Sequence, residues 1–111
     1  SNLPTIAVEG EVFYDELEIS AGGRIKLHVH LRNNTDTLAF FTGVSLPGVH
    51  EVATEIYSDN YFALLPGTEK KVIVEIINNK GFQGRIQAQF EITGWNVETK
   101  KIGKPLELNL L

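Results

Sequence analysis

Apolar and polar residues alternate with period two along most of the chain, and nowhere does a helical period hold for three turns. The clearest run sets Ile25, Leu27, Val29 and Leu31 on one face and Lys26, His28, His30 and Arg32 on the other. Successive side chains of a strand point to opposite faces, so this run predicts a strand with one buried and one wet side. Val72-Val74-Ile76 alternates with Lys71-Ile73-Glu75-Ile77, and Ile86-Ala88-Phe90-Ile92 with Gln87-Gln89-Glu91-Thr93. Leu106-Leu108-Leu110 closes the series against Glu107-Asn109. Weaker candidates cover residues 6–8, 12–19, 38–44 and 52–58. Turn chemistry separates them at Ala21-Gly22-Gly23, Asn33-Asn34-Thr35-Asp36, Pro47-Gly48, Pro66-Gly67 and Asn78-Asn79-Lys80-Gly81. Seven to eight short strands at a spacing of about 8–12 residues predict an all-β fold. An immunoglobulin-like antiparallel β-sandwich fits that pattern best.

Two stretches depart from simple alternation. Leu38-Ala39-Phe40-Phe41 breaks it, which predicts a bulge or a strand buried on both sides. Asp59-Asn60 predicts an Asx-type turn, after which Tyr61 and Phe62 would fold back as a lid over the end of the sandwich. Leu64 and Leu65 would extend that apolar plug before Pro66-Gly67 turns the chain into the next strand.

The totals change the picture mainly by exclusion. A chain of 111 residues suits one domain, and 42% hydrophobic with 22% charged residues is an ordinary globular profile. Ser1 and Asn2 read as the remnant of an expression tag, leaving 3–111 as the domain. The chain has no cysteine, so the sandwich has no disulfide, and zinc-thiolate sites and cysteine nucleophiles are excluded. The net charge is −4, with both signs interspersed. The one basic cluster, Lys100, Lys101 and Lys104, is flanked by Glu98 and Glu107, which argues against nucleic acid as a partner. Apolar runs such as 62–65 fall far short of the roughly 20 residues of a membrane span, so no membrane partner is expected.

Candidate chemistry is sparse. Glycosidases need two carboxylates across the scissile bond, and the candidates are Asp15, Glu16, Glu18, Glu51, Glu55 and Asp59. Glu16 and Glu18 would share a strand face about 6–7 Å apart, yet no carboxylate sits in a catalytic motif and a solvated edge explains them. His28 and His30 project from one face and could share a metal, but no third ligand can be placed beside them. Two solvent-facing strand histidines are the simpler reading. Ser20, Ser45 and Ser58 lack the setting of a nucleophile elbow. Gly22-Gly23 and Gly81-Phe82-Gln83-Gly84 lack the following helix of a phosphate loop. No catalytic residue, metal or cofactor is expected. Aromatic side chains are the remaining lead, because sugars stack on exposed rings. Phe40, Phe41 and Phe82 could join such a stacking platform. Trp95, Tyr57, Tyr61 and Phe62 are the candidate sugar or domain-interface contacts, with core or interface packing favoured for Trp95.

Three stretches carry a resemblance. They are Leu31-Arg32-Asn33-Asn34-Thr35 with Leu38-Ala39-Phe40-Phe41, the run from Tyr57-Ser58-Asp59-Asn60-Tyr61-Phe62 through Leu65-Pro66-Gly67 to Lys70-Lys71-Val72, and Ile92-Thr93-Gly94-Trp95-Asn96-Val97. Together they resemble the C-terminal Ig-like domain of family-two glycoside hydrolases, on the exo-β-D-glucosaminidase and mannosylglycoprotein endo-β-mannosidase branch. The Ser-Asp-Asn-aromatic run is similar to the β-mannosidase side, and Gly94-Trp95-Asn96 to the glucosaminidase side. The resemblance implies a non-catalytic accessory domain that packs against the catalytic barrel of a retaining β-glycoside hydrolase. Its partners would be the parent's remaining domains, with oligosaccharide as a further one, and the parent would be periplasmic or secreted. The alternatives are an independent carbohydrate-binding module and an adhesion-type Ig-like protein-interaction domain, since sandwiches host many functions.

Overall fold

The computed structural model describes residues 3–111; Ser1 and Asn2, the expected tag remnant, lie outside the described residues. The strands are β1 (Glu9–Phe13), β2 (Glu18–Ile19), β3 (Arg24–Arg32), β4 (Ala39–Ser45), β5 (Thr54–Tyr57), β6 (Phe62–Leu64), β7 (Glu69–Ile77), β8 (Gly84–Thr93) and β9 (Lys100–Leu110). A single 3₁₀ turn, Val49–Glu51, lies between β4 and β5. One sheet has the order β1-β3-β7-β5 and the other β2-β9-β8-β4-β6. Their inner faces enclose one core, which makes the molecule an Ig-like β-sandwich.

The long alternating runs become the central strands. β3 and β7 pair antiparallel without a slip from Arg24↔Ile77 to Arg32↔Glu69. Leu27, Val29, Val72, Val74 and Ile76 are thereby all fully buried. Phe90 and Ile92 of β8 and Leu106, Leu108 and Leu110 of β9 face them from the other sheet. The β8–β9 ladder slips between Ala88 and Phe90, where Gly103 takes a φ of 65° and Pro105 sits in the gap in the pairing. Proline has no N–H to give a ladder, so it is tolerated where the ladder is interrupted. The Gln89 side chain donates to the Gly103 carbonyl at 2.7 Å and spans that gap.

Several expectations need correction. The described residues form nine strands, because the 12–19 stretch divides into β1 and β2 around a bend, and 62–64 forms a short strand of its own. Glu16 falls in that bend, so it shares no strand face with Glu18. The sheets are not wholly antiparallel: β2 runs parallel to the end of β9, with Glu18↔Asn109 and Ile19↔Leu110. The expected strand at 6–8 is only an isolated bridge, Ile6↔Val97.

Candidate functional site

β4 organises the most unusual surface of the molecule. Its ladder to β6 shifts between Ala39 and Thr42, which is the bulge that the Leu38–Phe41 pattern predicts. The bulge, and the end of the β6 pairing beyond Thr42, leave β4 backbone groups without ladder partners, and two asparagines supply them. Asn96 accepts from the Phe40 amide at 2.8 Å and donates to the Leu38 carbonyl at 2.8 Å. Asn60 accepts from the Val44 amide at 2.9 Å and donates to the Val44 carbonyl at 2.9 Å. Each side-chain amide thus acts as a one-residue strand partner, one on either side of Phe40-Phe41. Close approach is built in at both places. A Cβ on Gly94 would lie 2.6 Å from Val97 Cγ2 and 3.0 Å from the Phe40 carbonyl, and one on Gly43 would collide with the Asn60 amide.

Large aromatic side chains stand outside the core around this strand. Trp95 is 60% exposed, and its amide donates to the Phe40 carbonyl at 2.9 Å. Its indole meets the Phe40 ring edge-on at 6.0 Å. Phe41 is 63% and Tyr61 70% exposed. These two are also the non-glycine residues, among those described, with left-handed backbone, at φ 49° and 57°. Left-handed backbone costs an L-residue about 1–2 kcal/mol, so the chain holds both rings outward against a local penalty.

The 58–62 motif anchors Tyr61. Ser58 Oγ accepts from the Ile73 amide at 2.8 Å, and Asp59 forms an ion pair with Lys70 at 2.7 Å. The Lys70 ammonium and the Asn60 amide, which donates to Asp59 Oδ1 at 2.8 Å, together hold the Asp59 carboxyl below its usual range. Lys70 also lies over the Phe62 ring, 5.1 Å from its centre. The Asx turn is therefore present, and half of the lid: Phe62 packs against the core and Leu64 is buried in it, whereas Tyr61, on left-handed backbone, and Leu65 point to solvent.

The sequence candidates thus divide. Trp95 is not a core residue, and Tyr61 is the most exposed of the four. Tyr57 is half-buried; its hydroxyl donates to Glu55 Oε1 at 2.8 Å. Burial, with the Glu55 carboxylate next, pushes Tyr57 ionisation strongly upward, so it stays a donor. His28 and His30 face outward on the opposite sheet, with the His30 ring 4.7 Å from Phe13, and no group of three metal-binding side chains forms among the described residues. Phe41, Asn60 and Asn96 stand inside the sequence motifs and Glu55 among the candidate carboxylates. What sequence reasoning missed is the left-handed backbone at Phe41, the backbone hydrogen bonds of the two asparagines and the Tyr57–Glu55 bond.

The comparisons with known proteins fit this geometry. Residues 2–97 match the family described as the exo-beta-D-glucosaminidase Ig-fold domain. The chain belongs to that family. Both Gly94-Trp95-Asn96 and the 57–72 run lie within the matched span. The family description is glucosaminidase, and it lends no support to the β-mannosidase side of the resemblance. No curated protein matches the chain significantly. Among solved structures, a family 123 glycoside hydrolase from Clostridium perfringens, studied for glycolipid glycan hydrolysis, superposes with a TM-score of 0.64 at 8% identity. That match covers 95% of this chain and 28% of the hydrolase, so the chain spans under a third of that protein's length. AvmM, which catalyses macrocyclization in alchivemycin A biosynthesis, superposes with a TM-score of 0.59 at 10% identity, covering 93% of this chain and 88% of AvmM. At such identities the likeness is one of fold.

Proposed function

We propose that this exo-β-D-glucosaminidase Ig-fold domain is a non-catalytic accessory domain of a glycoside hydrolase, docked on the enzyme's remaining domains through Trp95 and Phe41. The supporting observation is that two large rings stand exposed at the β4 bulge, Trp95 bonded through its amide to the Phe40 carbonyl and Phe41 held out on strained backbone within the bulge. Exposed aromatic side chains that gather in one place mark interaction sites more often than scattered ones do. Domain interfaces of about 600–1,500 Å² are assembled around anchors of this kind. An adhesion-type role has only the fold behind it.

Trp95 is the one tryptophan of the chain, so its fluorescence reports the docking directly. In the free chain its emission should be that of a solvated indole and readily quenched by acrylamide. Adding the parent enzyme's remaining domains should shift the emission to the blue and shield it. Undiminished quenching in that mixture, or turnover of a β-glucosaminide by the chain alone, would refute the proposal.

A further inference from the structure

We infer that the cleft between β5 and the β4–β6 edge is a carbohydrate-binding site, taking a neutral or amino sugar against the exposed Tyr61 ring with Glu55 accepting from its hydroxyls. The cleft goes beyond the docking proposal and does not depend on it. It encloses about 370 Å³, within the range of small-ligand sites, and lies where the edges of the two sheets meet. Tyr61, Pro47 and Leu46 give it apolar wall; Ser45, His50 and Glu55 give it polar groups. That division matches a pyranose ring, which has an apolar C–H face and a rim of hydroxyl donors and acceptors.

The polar wall is prepared for a donor. The Tyr57 hydroxyl occupies Glu55 Oε1, leaving Oε2 free of any protein hydrogen bond among the described residues. Carboxylate acceptors make stronger hydrogen bonds than neutral ones, and a negative group favours a neutral or cationic sugar over an acidic one. The aromatic wall is held as firmly. Tyr61 follows Asn60, whose amide is bonded to both backbone groups of Val44, and Val44 itself lines the cleft. Glycine would take the left-handed conformation at position 61 without penalty, so a tyrosine there is retained against local stability. A ring spent in this way, aimed beside an unshared carboxylate oxygen, points to a ligand with a flat apolar face and hydroxyl donors.

The test is an NMR titration of the ¹⁵N-labelled chain with tetraglucosamine, mannotetraose and tetragalacturonate. The expected result is saturable shifts confined to residues 44–61 with at least one of the first two, and none with the uronate. Tyr61→Gly should keep the fold, raise Tm and abolish those shifts, while Glu55→Gln should weaken binding about tenfold. Trp95→Ala should bind as the unaltered chain does. Silence with both non-acidic sugars, shifts centred on Trp95, equal binding of the uronate, or retained binding in Tyr61→Gly would each overturn the assignment. Silence with both sugars, equal binding of the uronate and retained binding in Tyr61→Gly leave the shielding of Trp95 by the parent's other domains untouched, so the two proposals fail separately.

Discussion

At the scale of single residues, the two strand-mimicking asparagines and the strained tyrosine make opposite demands on stability. Asn96→Ala would leave the Phe40 amide and the Leu38 carbonyl without their partner in a largely buried setting. Orphaned buried groups cost about 1–3 kcal/mol each, partly relieved by water, so a loss of about 2–3 kcal/mol is expected in urea unfolding. Tyr61→Gly should act the other way. It removes about 1–2 kcal/mol of left-handed strain and adds back some chain entropy, for a net gain of about 0.5–1 kcal/mol in the same measurement. Asp59 supplies a pH dependence. Its folded-state pKa is depressed first by the hydrogen bond to Lys70 and next by the Asn60 amide. The contribution is therefore present above the unfolded carboxylate pKa and lost as pH falls through the folded one. Stability curves of the unaltered chain and Asp59→Asn should differ at neutral pH and converge in acid; a gap that persists at low pH would mean the ion pair is not its source.

At the scale of elements, legibility followed the strength of the periodic signal. β3, β7, β8 and β9 are long, and each alternates over several residues, so tertiary burial and local pattern agree. The bulge in β4 was readable because Phe40-Phe41 interrupts that agreement. The two-residue β2 and its parallel pairing to β9 were not, since two residues carry no period. The outward turn of Tyr61 was hidden for a different reason. Sequence shows glycines where φ is positive, but a tyrosine held there announces nothing, and the lid expectation followed from assuming ordinary strand geometry. Gly94 was legible only as a break, yet the structure shows it is where β8 leaves the sheet against the β4 backbone. Gly94→Ala would force its Cβ against Val97 and the Phe40 carbonyl, which should cost about 1–3 kcal/mol and alter Trp95 emission in the folded state. A stability loss with unchanged emission would separate packing at Gly94 from the setting of the indole.

At the scale of the whole molecule, the sandwich is elongated, 47 × 23 × 21 Å, and has no cysteine to staple its sheets. Its cohesion therefore comes from the apolar side chains between the sheets, with Phe90 the largest that is fully buried. Phe90→Ala should cost about 3–5 kcal/mol, because the cavity it leaves is closed on both sides by strands. Phe41 is as large and as apolar, yet it is mostly solvent-exposed at a left-handed position. If its ring serves a partner and not the core, Phe41→Ser should stay within about 0.5 kcal/mol of the unaltered chain, as surface substitutions do. The same variant should weaken docking onto the parent's remaining domains, read by loss of Trp95 shielding. The same ring is removed at two positions, so the contrast in stability comes chiefly from where each ring sits. A Phe41→Ser chain as destabilised as Phe90→Ala would assign the ring to the fold and leave Trp95 as the sole anchor of the rim. A stable Phe41→Ser chain that no longer docks would show that this edge of the sandwich is kept for contact with something outside it.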